Sequence, residues 1–186
     1  TGAYYKAVFG KLAVQPGEFE HLLSFNRDLT FEESLKQYRY DITEIYKNSF
    51  ESDENVTTEE VKRSGKKALV MNEVAPFSKD YASTYTNLTT KEYCWIEVRF
   101  WAYLTRPDAN VNLVNTIVRS GDNYGYSANN LILDANNIDV NKWKEYVFHY
   151  QTPHIRSGSD EFKSYFWYCG GGEVYIDDLT ITKYTP

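Results

Sequence analysis

The sequence has little of several features that define large functional classes. It contains only two cysteines in 186 residues, too few for a disulfide-framed scaffold or a four-thiolate zinc site. Acidic residues outnumber basic ones by 26 to 20, for a net charge of -6, so there is no basic excess to bind a phosphate backbone. No apolar run approaches the roughly 20 residues that span a bilayer. We therefore expect neither nucleic acid nor direct membrane insertion.

Motifs for catalysis are also missing. His21, His149 and His154 are scattered, without a Ser-His-Asp grouping, an HExxH motif, a GxSxG motif or a phosphate loop. Asp177 and Asp178 are adjacent acids, but neighbours on a strand point to opposite faces rather than flanking a cleft, as glycoside hydrolysis requires. The sequence favours a protein that is not an enzyme, and a polysaccharide-cleaving enzyme is the remaining catalytic alternative.

The sequence is rich in aromatic residues, with 17 Tyr, 10 Phe and 4 Trp making 17% of the chain. Tyr and Trp suit surfaces that need an apolar face with a polar handle, although strands also favour them. From residue 50 onward, short hydrophobic segments alternate with turns rich in Gly, Asn, Ser and Pro, which is typical of a β-sandwich or jelly roll. The predicted strands are 67–74, 93–104, 111–119, 144–151, 163–169 and 174–183.

Residues 1–49 have a different pattern. Residues 4–14 alternate loosely, as in a strand, and Thr30 with Glu33 forms a capping box that predicts the start of a helix. Apolar residues then recur every three or four positions, which predicts an amphipathic helix. This short α-containing segment either packs on the β-domain or is the tail of a preceding domain of the same protein, since the chain begins abruptly at Thr1. The apolar residues with this spacing are Phe31, Leu35, Tyr38, Ile42 and Ile45.

Five short motifs follow one another in the order found in a known family. They are Phe50-Glu51, Ser64-Gly65-Lys66-Lys67-Ala68-Leu69, the segment 93–101 ending in Phe100-Trp101, Trp143-Lys144-Glu145-Tyr146 and Tyr175-Ile176-Asp177-Asp178-Leu179. Together they resemble the galactose-binding-like jelly rolls, and within them the carbohydrate-binding modules of families 4, 9 and 22.

The resemblance covers residues 50–186 and implies an all-β, jelly-roll β-sandwich there. It also implies a noncatalytic carbohydrate-binding or accessory module of a larger exported protein, located extracellularly, at the cell surface or in the periplasm. Its partner would be a poly- or oligosaccharide. In this reading the tryptophan that opens the strand at Trp143 belongs to the core.

A structural calcium ion is a further implication of the resemblance. Two adjacent acids on a hydrophobic strand need solvent, hydrogen bonds or a cation, because an unpaired buried carboxylate costs several kcal/mol. Calcium requires hard oxygen ligands, which distant segments can supply together. Without an ion, the acid pair would cap a turn or bind a nearby lysine. The ligands implied by position are Glu51, the backbone of Ser64 and Gly65, and Asp177 or Asp178.

Alternation along residues 93–104 predicts which side chains leave the core. Cys94, Ile96, Val98, Phe100, Ala102 and Leu104 fall on the apolar face. The opposite face mixes aromatic rings with an acid and a base, which suits stacking against sugar rings and hydrogen bonding to hydroxyls. We expect this face to bind a glycan. The predicted binding residues are Trp95, Glu97, Arg99, Trp101 and Tyr103, with Arg119, Tyr124, Tyr126 and Trp167 as candidates around the same groove.

Two points stay open from the sequence. The alternative is that the N-terminal helix or a neighbouring domain covers the aromatic face, in a structural or protein-contact domain without a glycan site. Cys94 and Cys169 each lie in a predicted strand and would form a disulfide only if their Cα atoms came within about 7 Å, so free thiols and a bond are both compatible with the sequence.

Overall fold

The computed structural model describes residues 27–52, 54–132 and 139–186. The chain divides into two compact units, Thr1–Tyr38 and Arg39–Pro186. In the described residues of the second unit, ten strands form two antiparallel sheets, so the predicted all-β sandwich is confirmed. The strands are β1 (Asp41–Asn48), β2 (Thr57–Thr58), β3 (Ala68–Met71), β4 (Tyr81–Thr84), β5 (Trp95–Leu104), β6 (Asn110–Arg119), β7 (Asp122–Asn130), β8 (Trp143–Gln151), β9 (Glu161–Gly170) and β10 (Val174–Thr185).

The larger sheet is built around β10. This strand pairs with β5 along one side, and β5 pairs in turn with β8. Along its other side β10 pairs with β3 near its start and with β1 over its second half, and β2 joins β3. The smaller sheet has the strand order β4-β9-β6-β7. Each sheet therefore has one face turned to the other sheet and one outer face.

The core lies between the two sheets. Phe100 of β5 meets Phe166 of β9 edge to face, with ring centroids 4.8 Å apart, and both side chains are almost fully buried. Ile96 and Val98 of β5 and Phe162 of β9 are also fully buried. Each such side chain contributes about 1.5–3 kcal/mol when it leaves water. The even-numbered side of β5 therefore packs in the core, as its alternation predicts.

The N-terminal helix is shorter than its pattern predicts. Helix α1 spans Phe31–Gln37, and its capping box forms, because Thr30 Oγ1 accepts from the Glu33 N–H while the Glu33 carboxylate accepts from the Thr30 N–H at 2.8 Å. The extension of the helix to Ile42 and Ile45 is wrong, because these residues lie on β1.

The β1 strand extends the larger sheet upstream of residue 50. It pairs with β10 from Asp41 opposite Thr185 to Asn48 opposite Leu179. Hydrogen bonding to the long strand β10 outweighs the weak local preference for a helix. The strand expected at residues 4–14 lies outside the described residues, and an additional preceding domain remains a prediction.

Two strands of the smaller sheet were not predicted. β4 is only four residues long, and it leads directly into the one-turn helix α2 (Tyr85–Leu88). β7 has the polar sequence Asp-Asn-Tyr-Gly-Tyr-Ser-Ala-Asn-Asn, which shows no hydrophobic alternation. It forms because the turn at Ser120 and Gly121, both with positive φ, folds it back along β6.

The two cysteines do not form a disulfide bond. Cys94 is buried, Cys169 is exposed, and both are free thiols. Trp143 was expected in the core, but this expectation is wrong. It is only partly buried, and it lies directly opposite the outward-facing Tyr103 in the register of β8 with β5. In the ranges that the structure describes, no helix has both the length and the apolar character needed to cross a membrane.

Candidate functional site

The outer face of the smaller sheet carries exposed aromatic rings. Alternation along β9 turns Phe162 and Phe166 into the core and leaves Tyr165 and Trp167 outside. Trp167 is 39% exposed, and Phe77, which precedes β4, is 60% exposed. The Phe77 and Trp167 rings are nearly parallel, with centroids 6.2 Å apart and planes at 14°. We call this surface, formed by Phe77, Tyr126, Tyr165 and Trp167, the groove face.

The fourth ring of the groove face comes from β7. Tyr126 is 50% exposed. Burial raises the pKa of Tyr165, and the neighbouring Tyr126 raises it further, which indicates that the two phenols lie near each other. Rings contributed by two strands and a loop therefore share one side of the sandwich.

An open groove of about 510 Å³ runs along this face. Thr116 of β6 is among the residues that line it, and this side chain is almost fully buried. Its walls combine apolar rings with charged and amide groups, a composition typical of sites that bind polar organic molecules. The residues that define its shape are Phe77, Asp80, Thr116, Asn123, Lys163 and Tyr165.

Polar groups in and beside the groove are held in fixed positions. Lys163 Nζ lies 2.9 Å from Asp80 Oδ2 and 3.3 Å from Glu161 Oε2, and the hydrogen bond with Asp80 raises the pKa of Lys163. Asn112 lies opposite Trp167 in the register of β6 with β9. Its Oδ1 accepts from Asn130 Nδ2 at 3.0 Å. Directional hydrogen-bonding groups thus lie next to the exposed rings.

The outer face of the larger sheet carries the first five predicted binding residues, but it is a different kind of surface. Trp95 is only 7% exposed, so its ring is not open to a ligand, contrary to expectation. The guanidinium of Arg63 lies over the Trp101 ring, 3.9 Å from its centroid. Tyr103 packs against Trp143 and Tyr175, with centroids 5.7 and 5.9 Å away.

Ion pairs link the charged residues of this second face. Glu97 lies at the centre, with Oε1 3.2 Å from Arg99 Nη2 and Oε2 3.1 Å from His149 Nε2. Tyr184 donates its hydroxyl to the same Oε2 at 3.3 Å. Arg99 also contacts Glu145 at 3.1 Å. We call the surface formed by Glu97, Arg99, Glu145, His149 and Tyr184 the ion-paired face.

Arg119 and Tyr124 meet at a buried carboxylate rather than lining the groove. Tyr124 donates its hydroxyl to Asp160 Oδ2, and its ring packs against the core. The guanidinium of Arg156 lies over the Tyr124 ring, 4.5 Å from its centroid. Arg119 Nε is 3.9 Å from Asp160 Oδ1. These contacts join the β6-β7 hairpin to the loop before β9.

Of the predicted metal ligands, Asp177 and Asp178 contact Ser64, whereas Glu51 contacts other residues of the same loop. Asp177 Oδ2 accepts from the backbone N–H groups of Arg63 and Ser64, each at 2.9 Å, and its Oδ1 accepts from the N–H of Asp178 at 2.8 Å. The pKa of Asp177 is raised overall, because burial outweighs the three N–H groups that lower it. Asp178 accepts from Ser64 Oγ at 2.6 Å and forms an ion pair with Arg63.

Glu51 contacts the same loop at other residues, so the cluster around Asp177 and Asp178 does not include it. Its Oε1 accepts from the N–H of Lys66 at 2.8 Å and from the N–H of Lys67 at 3.3 Å. Gly65 has φ +57°, and a Cβ there would lie 2.0 Å from Glu51 Oε1. Glycine adopts this backbone angle without strain, and a side chain here would require the Glu51 carboxylate to move.

The cluster does not fit a calcium ion as arranged. Calcium takes six to eight oxygen ligands, whereas the groups aimed at these carboxylates are N–H and O–H donors and a guanidinium. Within the described ranges, no three His, Cys, Asp or Glu residues form a group that could hold a metal. Calcium binding remains a prediction from the resemblance.

The predicted binding residues are thus divided among separate surfaces. Tyr126 and Trp167 belong to the groove face, while the residues of β5 lie on the opposite side of the sandwich. The sequence analysis missed Phe77, Tyr165 and Lys163. Alternation along β9 could have found Lys163 and Tyr165 beside Trp167, but Phe77 lies outside the named strands and no periodic signal marks it.

Comparisons with known proteins give a likeness of fold. No protein-family model and no curated protein sequence matches the chain. Among solved structures, the family 22 carbohydrate-binding and GH10 modules of Clostridium thermocellum endo-1,4-β-D-xylanase 10B, complexed with xylohexaose, match with a TM-score of 0.50 and 10% identity. The match covers 75% of this chain and 28% of that one.

A second solved structure is the family 22 xylan-binding domain of Paenibacillus barcinonensis Xyn10C. It matches with a TM-score of 0.48 and 17% identity, over 80% of this chain and 97% of that one. At these identities, the likeness concerns the fold alone. The resemblance to the jelly rolls of carbohydrate-binding modules is confirmed at that level.

Proposed function

We propose that this chain is a noncatalytic carbohydrate-binding module that binds a poly- or oligosaccharide on the groove face. The observation that carries the proposal is the exposed, nearly parallel pair of Phe77 and Trp167 beside a groove of about 510 Å³. Large exposed rings are unusual on a surface without a partner. Aromatic faces provide area and shape for the C–H faces of sugar rings.

The polar groups of the groove supply the second requirement. Sugar hydroxyls need donors and acceptors at fixed positions, since specificity comes from a few well-placed polar groups. Lys163 and Asp80 hold each other at 2.9 Å, and the Asn112 and Asn130 amides are linked beside Trp167. Groups that are already ordered lose little side-chain entropy when a ligand binds.

The likeness to the xylanase module complexed with xylohexaose supports carbohydrate as the ligand class. It makes xylan the first polymer to test. We further propose that the module serves a larger exported protein, in an extracellular, cell-surface or periplasmic setting, as the resemblance in the sequence implies.

Affinity electrophoresis through gels containing xylan, mixed-linkage β-glucan or a soluble cellulose derivative tests the proposal. We expect wild type to be retarded by at least one polymer. Trp167→Ala should lower affinity roughly tenfold or more, since buried aromatic anchors carry much of the binding energy. The matched control is Trp101→Ala, which removes the same ring on the opposite side of the sandwich and should retain binding. Thermal melts establish that both variants are folded.

Each alternative predicts a different pattern. Lost binding in Trp101→Ala with binding kept in Trp167→Ala would place the ligand on the β5 face, as the alternation suggested. A wild type that no polymer retards favours a structural or protein-contact domain. New reducing ends or unsaturated products after incubation with the polymers would identify a polysaccharide-cleaving enzyme.

A further inference from the structure

The acid pair of β10 is surrounded by hydrogen-bond donors from a single loop. The loop between β2 and β3 turns two successive N–H groups, those of Arg63 and Ser64, toward Asp177 at 2.9 Å each. The Asp177 side chain is completely buried. A carboxylate that accepts several backbone N–H bonds has its charge stabilised without a cation. The loop therefore supplies two of the three backbone hydrogen bonds that Asp177 accepts.

Arg63 neutralises the second acid. Its guanidinium pairs with Asp178, and the two side chains are 35% and 22% exposed. The same guanidinium lies 3.9 Å from the centroid of the Trp101 ring, so it is fixed by an ion pair and by a cation-π contact together. A planar guanidinium suits both contacts, whereas an ammonium suits them less well.

The backbone of β10 is adapted to this arrangement. Asp178 has φ +51°, and the pairing of β10 with β5 shifts register between Asp177 and Thr180. The bulge lets two adjacent acids face the same loop instead of opposite sides of the sheet. On the other side of the loop, Glu51 accepts from the N–H groups of Lys66 and Lys67.

We propose that in this chain Arg63 and the amides of its loop fasten the β2-β3 loop to the last strand, in the place of the metal ion that the resemblance implies. A calcium ion would have to displace N–H donors from Asp177 and the guanidinium from Asp178, and it would meet the positive ends of those donors. The chain carries its own cation at this position. The same contact covers Trp101 and withholds that ring from a ligand.

Melting temperatures with and without chelator test this proposal on the whole chain. We expect wild type to melt at the same temperature in EDTA and in millimolar calcium, because no native-state ion is lost or gained. Arg63→Ala should lower the melting temperature by about 2–4 °C, and Arg63→Lys should restore part of that loss. The matched control is Arg106→Ala, which removes an exposed arginine paired with Asp108 at 2.8 Å and should change the melting temperature little.

Fluorescence gives a readout that a general loss of stability would not change. With Arg63→Ala, native Trp101 should become more accessible to acrylamide quenching, and this increase should be absent when Trp101→Phe is added. The proposal is overturned if EDTA lowers the melting temperature of wild type but not of Asp178→Asn, or if Arg63→Ala leaves both the melting temperature and the quenching unchanged.

Discussion

The two outer faces of the sandwich contain similar kinds of residues, but the aromatic rings are exposed on one face and covered on the other. On the groove face, Phe77 and Trp167 are stacked on each other and exposed. On the face of the larger sheet, Trp95 is buried and Trp101 lies under Arg63. Both faces have aromatic and charged side chains at alternating positions. An aromatic residue that points away from the core is thus not necessarily open to a ligand.

The charged residues differ in the same way. Lys163 and its partners Asp80 and Glu161 are each about a third or more exposed. Glu97 is only 12% exposed, and it is shared by Arg99, His149 and Tyr184. We infer that the groove face keeps its polar groups available, whereas the ion-paired face uses them to hold β5, β8 and β10 together.

The largest expected effect comes from removing both exposed rings. The double variant Phe77→Ala/Trp167→Ala should lose roughly a hundredfold in polysaccharide affinity, if each ring contributes about tenfold. Its melting temperature should change little, because both rings are exposed. Val74→Ala, a change at a residue 91% exposed in the preceding loop, serves as the control for lost apolar surface. Retained affinity in the double variant would remove the groove face as the binding site.

Substitutions on the ion-paired face should lower the stability of the fold rather than the affinity for polysaccharide. Glu97→Ala leaves the partly buried Arg99 and His149 without their shared carboxylate, and we expect a loss of about 1–3 kcal/mol in the free energy of unfolding. Glu161→Ala, which removes an exposed partner of Lys163, should cost less than about 1 kcal/mol. Urea denaturation measures both. Equal losses in the two variants, or weaker polysaccharide binding in Glu97→Ala, would contradict this division of roles.

A smaller effect is expected at Lys163. The hydrogen bond with Asp80 raises the pKa of Lys163, so the ammonium is charged at neutral pH and available as a donor. Lys163→Met should weaken binding roughly fivefold, which corresponds to about 1 kcal/mol for one hydrogen bond. Titration calorimetry gives the affinity, with Lys142→Met on an exposed loop as the control. An unchanged affinity would mean that the ligand does not reach this end of the groove.

The smallest change needs no mutation. Burial raises the pKa of Cys94 to about 12, so its thiolate is scarce at pH 8. Burial also raises the pKa of Cys169, but this thiol is exposed to the reagent and lies two residues from Trp167. We expect Ellman's reagent to label one thiol in the native protein and two in guanidinium chloride. A saturating polysaccharide should slow the native reaction by covering Cys169. Two native thiols that react equally, or no protection by ligand, would argue against this picture.

Much of the fold could be predicted from local patterns. Alternation correctly assigned Ile96, Val98 and Phe100 to the core, because a strand between two sheets must turn every second side chain inward. Strands that lack this pattern were missed. The polar β7 forms because β6 provides an edge to pair with, and β1 forms because β10 does. Neither partner is visible in a local window of sequence.

The site was predictable only in part. Tyr126 and Trp167 are exposed, but the prediction that they border the same groove as the β5 residues is wrong, because β7 and β9 belong to the other sheet. The prediction that Trp95 and Trp101 point away from the core is correct. Whether such a ring is exposed to solvent depends on which other segments of the chain pack against it. Arg63 covers Trp101 from a distant loop, and no spacing within β5 predicts that contact.

The sandwich of two sheets and the buried side of β5 could be predicted from the sequence alone. Alternation indicates which side of a strand is buried, and the ordered motifs carry the resemblance to the jelly rolls. The tertiary structure decided which outer face is open and whether N–H donors or oxygen ligands surround the acid pair. The reason is physical, since exposure and hydrogen-bond pairing depend on which distant segments approach a residue, and alternation reports only the side of the strand on which that residue lies.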